Sequence, residues 1–282
     1  MEIVRWIEGE DNLEQAVARS LDDADLADQQ DTEERLTTLS VTRVNMFLRC
    51  PRQFYYRYLE GLKMPPRSAL GEGKALHRAL ATAHLEQKKS GVPPLSLVLD
   101  AHQDYWKEEQ KTIAGWDSDD TPDKVDKRGK SFLTQYHQEL LPKVQPEAVE
   151  KGFVAMVGGF KTVGFIDLLD GSGAKSCVID HKVVKKAQKA KGSKQLTLYA
   201  KVFGAAAGRF NLFKKLKNPV IESDEATFEE QDFLKVEMLF SDVGRAIKMC
   251  YANGLFPRCD TEGWVCSPDY CGYYTTCWRK PV

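Results

Sequence analysis

The stretch from Val163 to Tyr199 constrains this chain most. It runs Val163-Gly164-Phe165-Ile166-Asp167, then Gly171-Ser172-Gly173, then Val178-Ile179-Asp180-His181-Lys182, and later Gln195-Leu196-Thr197-Leu198-Tyr199. Two apolar runs each end in an aspartate, and a lysine follows the second by two residues. Residues i and i+2 of a strand share a face, so Asp180 and Lys182 project together. If the glycine-rich segment closes a hairpin, Asp167 comes near Asp180. Two carboxylates and an ammonium at one sheet edge suit a divalent cation and a water to be activated. By themselves the same residues also read as strand-end aspartates binding turns, with a surface lysine. Gln195 and Tyr199 stand four apart on a following helix and share a face. They can hold a phosphodiester beside the site, or form an ordinary core tyrosine with an incidental glutamine.

At 282 residues with 42% apolar content, the chain can bury a sizeable core as one large domain or two small ones. No run approaches the ~20 apolar residues of a membrane span. The start, Met1 to Trp6, does not read as a signal peptide, so a reducing, cytoplasmic setting is expected. The net charge of -1 hides an asymmetry: residues 1–36 carry -9, leaving +8 for the rest. A mildly basic body permits a polyanionic partner. The acidic leader reads as a flexible tail, or as a segment folding back on a basic groove. One weak helix around Leu13 to Leu26 is compatible with it.

Ordered structure is expected from Ser40, a good N-cap. Pro51 opens a second helix, Lys74–Lys89 forms a third after Gly71-Glu72-Gly73, and two more span Leu95–Ile113 and Thr121–Leu141. Trp116 to Asp120 reads as a solvated turn. From Val149 the period changes to that of strands, with Gly158-Gly159 and Gly171-Ser172-Gly173 as hairpin turns. A lysine-rich segment (Lys185, Lys186, Lys189, Lys191 and Lys194), a helix from Ser193 and two more strands follow. Thr227-Phe228-Glu229-Glu230 reads as a capping box opening a long helix to Ala252. The order of elements indicates a mixed α/β (α+β) fold. The expected organisation is a leader over 1–38 and one domain over 39–282. Within that domain, 39–148 is helical, 149–226 is the sheet core, and 227–282 is the long helix with a cysteine segment.

Seven cysteines without a secretory signal argue against a disulfide framework. Cys266, Cys271 and Cys277 crowd the end of the chain among Trp264, Tyr270, Tyr273, Tyr274 and Trp278. Three thiols so close suit a metal or cluster whose fourth ligand comes from elsewhere. Cys259 is near in sequence, and Cys50 is the other candidate. Cys177 and Cys250 read as core residues.

Four short motifs, Gly73-x-x-x-His77, Gly164-x-x-Asp167, Asp180-x-Lys182 and Gln195-x-x-x-Tyr199, resemble the motif series of the PD-(D/E)XK nucleases in their RecB-like branch. The resemblance covers about Leu39 to Trp278. It implies a restriction-endonuclease-like core and a Mg²⁺- or Mn²⁺-dependent deoxyribonuclease. His77, Asp167, Asp180 and the main-chain carbonyl of His181 match the metal ligands, and Lys182 matches the catalytic lysine. Gln195 and Tyr199 match the DNA-positioning helix, and Glu150 matches a recurrent acidic position. The lysines from Lys185 to Lys194 are then expected to meet backbone phosphates.

Cys50-Pro51-Arg52-Gln53-Phe54-Tyr55-Tyr56 is similar to the segment before the core in the iron–sulfur members, which include AddB and the CRISPR-associated exonucleases. That similarity implies a [4Fe–4S] cluster on Cys50, Cys266, Cys271 and Cys277, with structural Zn²⁺ as the alternative. Four residues, Ser267 to Tyr270, separate Cys266 from Cys271, where many CRISPR-associated members have two. A stand-alone or phage-type nuclease of recombination and repair therefore fits better than a CRISPR adaptation nuclease with an integrase partner. The expected substrate is single-stranded DNA or DNA ends. A DNA-binding module that no longer cuts is the alternative from a different class.

Overall fold

The computed structural model describes residues 2–7 and 32–279. A mixed sheet in the order β1-β3-β4-β5-β6-β7 forms the centre. Its strands are β1 (Glu2–Ile7), β3 (Pro146–Val157), β4 (Phe160–Asp170), β5 (Cys177–Val184), β6 (Ala207–Lys214) and β7 (Val220–Thr227). The short β2 (Thr38–Leu39) pairs in parallel with the start of β4. All other pairings are antiparallel except β5 with β6, which the crossover helix between them makes parallel.

Helices cover both faces. On one side α4 (Ser68–Ser90), α5 (Leu95–Thr112) and α6 (Pro122–Glu139) bury Leu76, Leu80, Val98, Phe132 and Leu133 against Phe213 of β6. On the other side lie α2 (Val41–Arg49), α7 (Lys194–Phe203) and α8 (Glu230–Ala252). They bury Val44, Phe47, Leu196, Phe240 and Val243 with Phe153 and Ile166 of the sheet. This is the mixed α/β, restriction-endonuclease-like architecture expected of the sequence.

Local chemistry sets the ends of these helices. Ser40 caps α2 by accepting from the Arg43 N–H at 3.2 Å, Thr121 caps α6, and Ser193 caps α7. Pro51 begins α3 (Pro51–Phe54), which runs on into one π-helical turn, Tyr55–Leu59. The last described element is α9 (Tyr274–Arg279).

Four expectations need correction. Structure begins ahead of Ser40: β1 adds an antiparallel strand beside β3, and α1 (Thr32–Thr37) leads into β2. The helix expected around Leu13 to Leu26 lies outside the described residues. Helix α4 starts at Ser68, so Gly71 and Gly73 lie inside it; a Cβ on Gly71 would sit 3.1 Å from Ile113, at the end of α5. The capping box of α8 is shifted, with Glu229 as N-cap and Asp232 as its reciprocal partner. Asp120 is not solvated: it joins Glu72, Arg128 and Lys215 in a buried ion cluster. In that cluster Arg128 grips Glu72 with two hydrogen bonds, at 2.6 and 2.8 Å.

Candidate functional site

The two-residue turn Gly158-Gly159, with both glycines at positive φ, fixes the register of β3 on β4. Val149 pairs Leu168 and Lys151 pairs Ile166, which sets Glu150 opposite Asp167. On the other side Leu168 pairs Ile179, and the ladder of β4 with β5 stops there. Continuing that register sets Asp180 opposite Asp167. Three carboxylates thus fall on one row across three strands, at the point where β4 and β5 part.

The sheet is bent at this row. Residues two apart on a regular strand share a face, yet Ile166 packs in the core of α7 and α8 while Leu168 packs with Ala81 of α4. Glu150 has φ +47, the one non-glycine residue in the left-handed region among those described. Strain of this kind persists where the surrounding structure enforces it, often at functional sites.

Where β4 and β5 part, the Asp167 carboxylate takes over the bonding of the open strand. Its Oδ2 accepts from the His181 N–H at 2.7 Å. Its Oδ1 lies 3.4 Å from His77 Nδ1 on α4. His77, Glu150 and Asp167 offer ligand atoms that all lie within 4.8 Å of one another. Asp180 faces Lys182, Oδ2 to Nζ 2.8 Å, and Lys182 also donates to Gln195 Oε1 at 3.0 Å. Lys182 Nζ sits 5.3 Å from the Phe210 ring centre.

The electrostatics follow from burial and crowding. Burial alone would lower the His77 imidazole, but Asp167, with Glu150 and Asp180 behind it, holds it up at about 9. Burial would raise Asp167, yet His77 and His181 pull it down to about 2. Burial pushes Asp180 above the ordinary carboxylate range despite Lys182, and Asp167 adds to the push. Burial works against the charge of Lys182, but Asp180 keeps it above its usual range. Burial drives the His181 imidazole down to about 3, so its ring is neutral. Three carboxylates beside one imidazole call for positive charge, and nitrogen and oxygen donors in this set fit Mg²⁺ or Mn²⁺.

Tyr199 differs from expectation. Its ring is buried, edge-on to Phe153 at 5.5 Å and against Gly164. It packs the helix that carries Gln195 onto the strand that carries Asp167. The lysines border open space instead. Lys189, Lys191 and Lys194 line a cavity of about 440 Å³ that also reaches Lys182 and Gln195. Lys185 and Lys186 line a neighbouring cavity of about 600 Å³. Lys189 and Lys191 are paired with Asp224 and Asp232.

A second cluster joins the two ends of the domain. Cys50, Cys266, Cys271 and Cys277 line one cavity, and Cys259 lines it too. Gln53 Nε2 donates to Cys271 Sγ and Arg258 Nε to Cys277 Sγ, each at 3.2 Å. Burial, with the thiols of Cys50 and Cys266 beside it, pushes Cys259 up to about 12. The Arg52 N–H donates to the Pro257 carbonyl, and Tyr273 Oη donates to the Leu62 carbonyl. Cys177 is core, and Cys250 packs half-buried against the α8 side of the core.

Two members of these clusters were named from the sequence without a place in the ligand sets: Glu150 as a recurrent acidic position with no stated role, and Cys259 as the candidate passed over for Cys50. Glu150 was legible through the two-residue glycine turn, since 150 and 167 are equidistant from it. Cys259 was legible only as a near neighbour of Cys266.

This arrangement defines a class. The description "PD-(D/E)XK nuclease superfamily" matches residues 38–278, and the chain belongs to that superfamily. A search of the curated proteins found no matching relative. Among solved structures, the chain is similar to a "Putative exonuclease" from Eubacterium rectale, at 10% identity and a TM-score of 0.56. That match covers 84% of this chain and 89% of the other, and it is a likeness of fold. It also matches SSO0001 at 16% identity, over 95% and 97% of the two chains, with a TM-score of 0.39 that is too low to support a fold argument. Among the described residues no helix is long and apolar enough to cross a membrane.

Proposed function

We propose that the chain is a Mg²⁺- or Mn²⁺-dependent deoxyribonuclease that cuts phosphodiester bonds of single-stranded DNA or DNA ends. The observation that carries this reading is the meeting of His77, Glu150, Asp167, Asp180 and Lys182 where β4 and β5 part, in a chain of the PD-(D/E)XK superfamily. His77, Asp167, Asp180 and the main-chain carbonyl of His181 are the proposed ligands, and Glu150 joins them. A divalent ion there supplies a Lewis acid and lowers the pKa of a bound water.

The chain's own groups do the rest. Lys182 stays an ammonium at neutral pH, so it serves as a donor to charge developing on the phosphate and not as a base. Gln195 holds Lys182 in line. Tyr199 seats the helix that carries Gln195, and the lysines from Lys185 to Lys194 neutralise neighbouring phosphates.

The cysteine cavity is proposed to hold a [4Fe–4S] cluster on Cys50, Cys266, Cys271 and Cys277. The donor set fits it: thiols converge, and Gln53 and Arg258 point N–H groups at sulfur, as they would at thiolates. Its role is to pin the last segment to the start of α3. Metal analysis of anaerobically purified protein tests this; iron with absorbance near ~400 nm is expected, and colourless protein loaded with zinc would overturn it. For the activity, digestion of linear and circular DNA, single- and double-stranded, with each metal is the test. Cutting confined to linear forms supports action at ends, and cutting of circles overturns it.

A further inference from the structure

A cavity of about 1270 Å³ runs beside α2 and the N-terminal half of α4. Its walls carry Arg49, Arg57, Lys63, Arg67 and Lys74 against a single acid, Asp269, whose main-chain carbonyl accepts from Arg67. Lys74 stands one turn before His77 on α4. Tyr270 closes this cavity and also lines the next one, with Trp264, Lys185 and Lys186. That second cavity shares Gln188 with the one that reaches Lys182 and Gln195. A path with cationic walls therefore leads to Lys182 past one aromatic pair.

Trp264 and Tyr270 are 69% and 70% exposed, with ring centres 5.1 Å apart at 81°. Large rings left in water beside lysines add nothing to the core. Flat π-faces among cations suit unpaired bases and their phosphates, because every base offers a face for stacking. Bases inside a duplex are already stacked on each other.

A second observation points the same way. Asp117 bridges Arg67, at 3.4 Å, and Lys185, at 3.3 Å, one cation from each cavity. One carboxylate thus stands where a phosphate can stand. The loop with the two rings is tied down near both ends, since Cys259, Cys266 and Cys271 all face the sulfur-lined cavity.

We propose that Trp264 and Tyr270 form a base-stacking platform for single-stranded DNA, with Arg67 and Lys185 exchanging Asp117 for the strand's phosphates. This rests on the nuclease reading of the same cleft. The test is binding measured by fluorescence anisotropy in EDTA, where nothing is cut. Labelled oligothymidylate, an abasic strand of equal length and a duplex serve as probes.

Trp264→Ala and Tyr270→Ala each weaken oligothymidylate binding about five- to a hundred-fold, while abasic-strand binding stays within about two-fold. Trp264→Phe keeps a π-face and retains most of the affinity. Asp117→Asn tightens binding of both single strands by freeing two cations. Equal losses on the abasic strand, a Phe variant as weak as Ala, or no loss in either alanine variant would overturn the platform. A wild type that binds with this pattern yet cuts no DNA supports the platform and overturns the nuclease reading. A wild type that cuts DNA without any dependence on the two rings does the reverse.

Discussion

Gly164→Ala tests how the fold positions the site. Gly164 lies directly opposite Phe153 in the β3–β4 ladder. A Cβ there would fall 2.8 Å from two Phe153 ring carbons and 2.9 Å from a Tyr199 ring carbon. Carbon contacts settle at about 3.5–4.0 Å, so two buried rings must each retreat by roughly 1 Å. Overpacking of this kind costs about 1–3 kcal/mol, and for a chain of 282 residues the midpoint of thermal unfolding falls by about 2–5 °C.

The retreat of Tyr199 also moves α7, and with it the Gln195 oxygen that holds Lys182 at 3.0 Å. A misplacement near 1 Å lowers kcat by on the order of a hundred-fold. Phe153→Leu in the same chain opens space and restores part of both losses, since the two sites are in contact. Calorimetry and cleavage of a labelled strand measure the two effects. A variant as stable and as active as the parent would rule out this coupling of Gly164 to Lys182.

Arg128→Met leaves Glu72 and Asp120 buried with Lys215 as their remaining cation and is expected to cost about 3–5 kcal/mol; urea unfolding measures it, and a loss below 1 kcal/mol contradicts it. Burial holds the His84 imidazole down to about 4, against an ordinary 6.5. The unfolded chain therefore binds the extra proton between those values. The stability this burial brings is full above pH 6.5 and is lost as pH falls to 4, by about 3 kcal/mol at 1.36 kcal/mol per pH unit. A flat stability profile across that window contradicts it. Removal of divalent ions with EDTA abolishes cleavage and Mn²⁺ restores it, whereas cleavage that persists in EDTA rules out the ion's role.

Much of the fold was legible because its punctuation is local. Ser40, Thr121 and Ser193 cap helices where their side chains suggest, and Gly158-Gly159 sets a register that a reader of the sequence can count. Strand alternation put Asp180 and Lys182 on one side, and reading Gly171-Ser172-Gly173 as a hairpin turn brought Asp167 near Asp180. Strand β1 was hidden because Ile3, Val4, Trp6 and Ile7 were averaged into an acidic leader. Asp120 looked solvated because its partners come from α4, α6 and the residue after β6, and no local pattern joins them. Tyr199 carries the helix spacing of a site residue, yet the absence of a Cβ at Gly164 draws its ring into the core. Cys259 shows the same limit, since its place beside Cys50, which is distant in sequence, and Cys266 appears only in the fold.

The residues gathered where β4 and β5 part are proposed to cut DNA. End-labelled single-stranded and duplex DNA digested with Mn²⁺ by the wild type, Asp167→Asn and Lys182→Ala tests it most directly. Shortened products are expected from the wild type, with a loss of at least about a hundred-fold in each variant and all three proteins equally folded. Wild type that leaves every substrate intact, or variants that cut as well as it does, would overturn the assignment of this site.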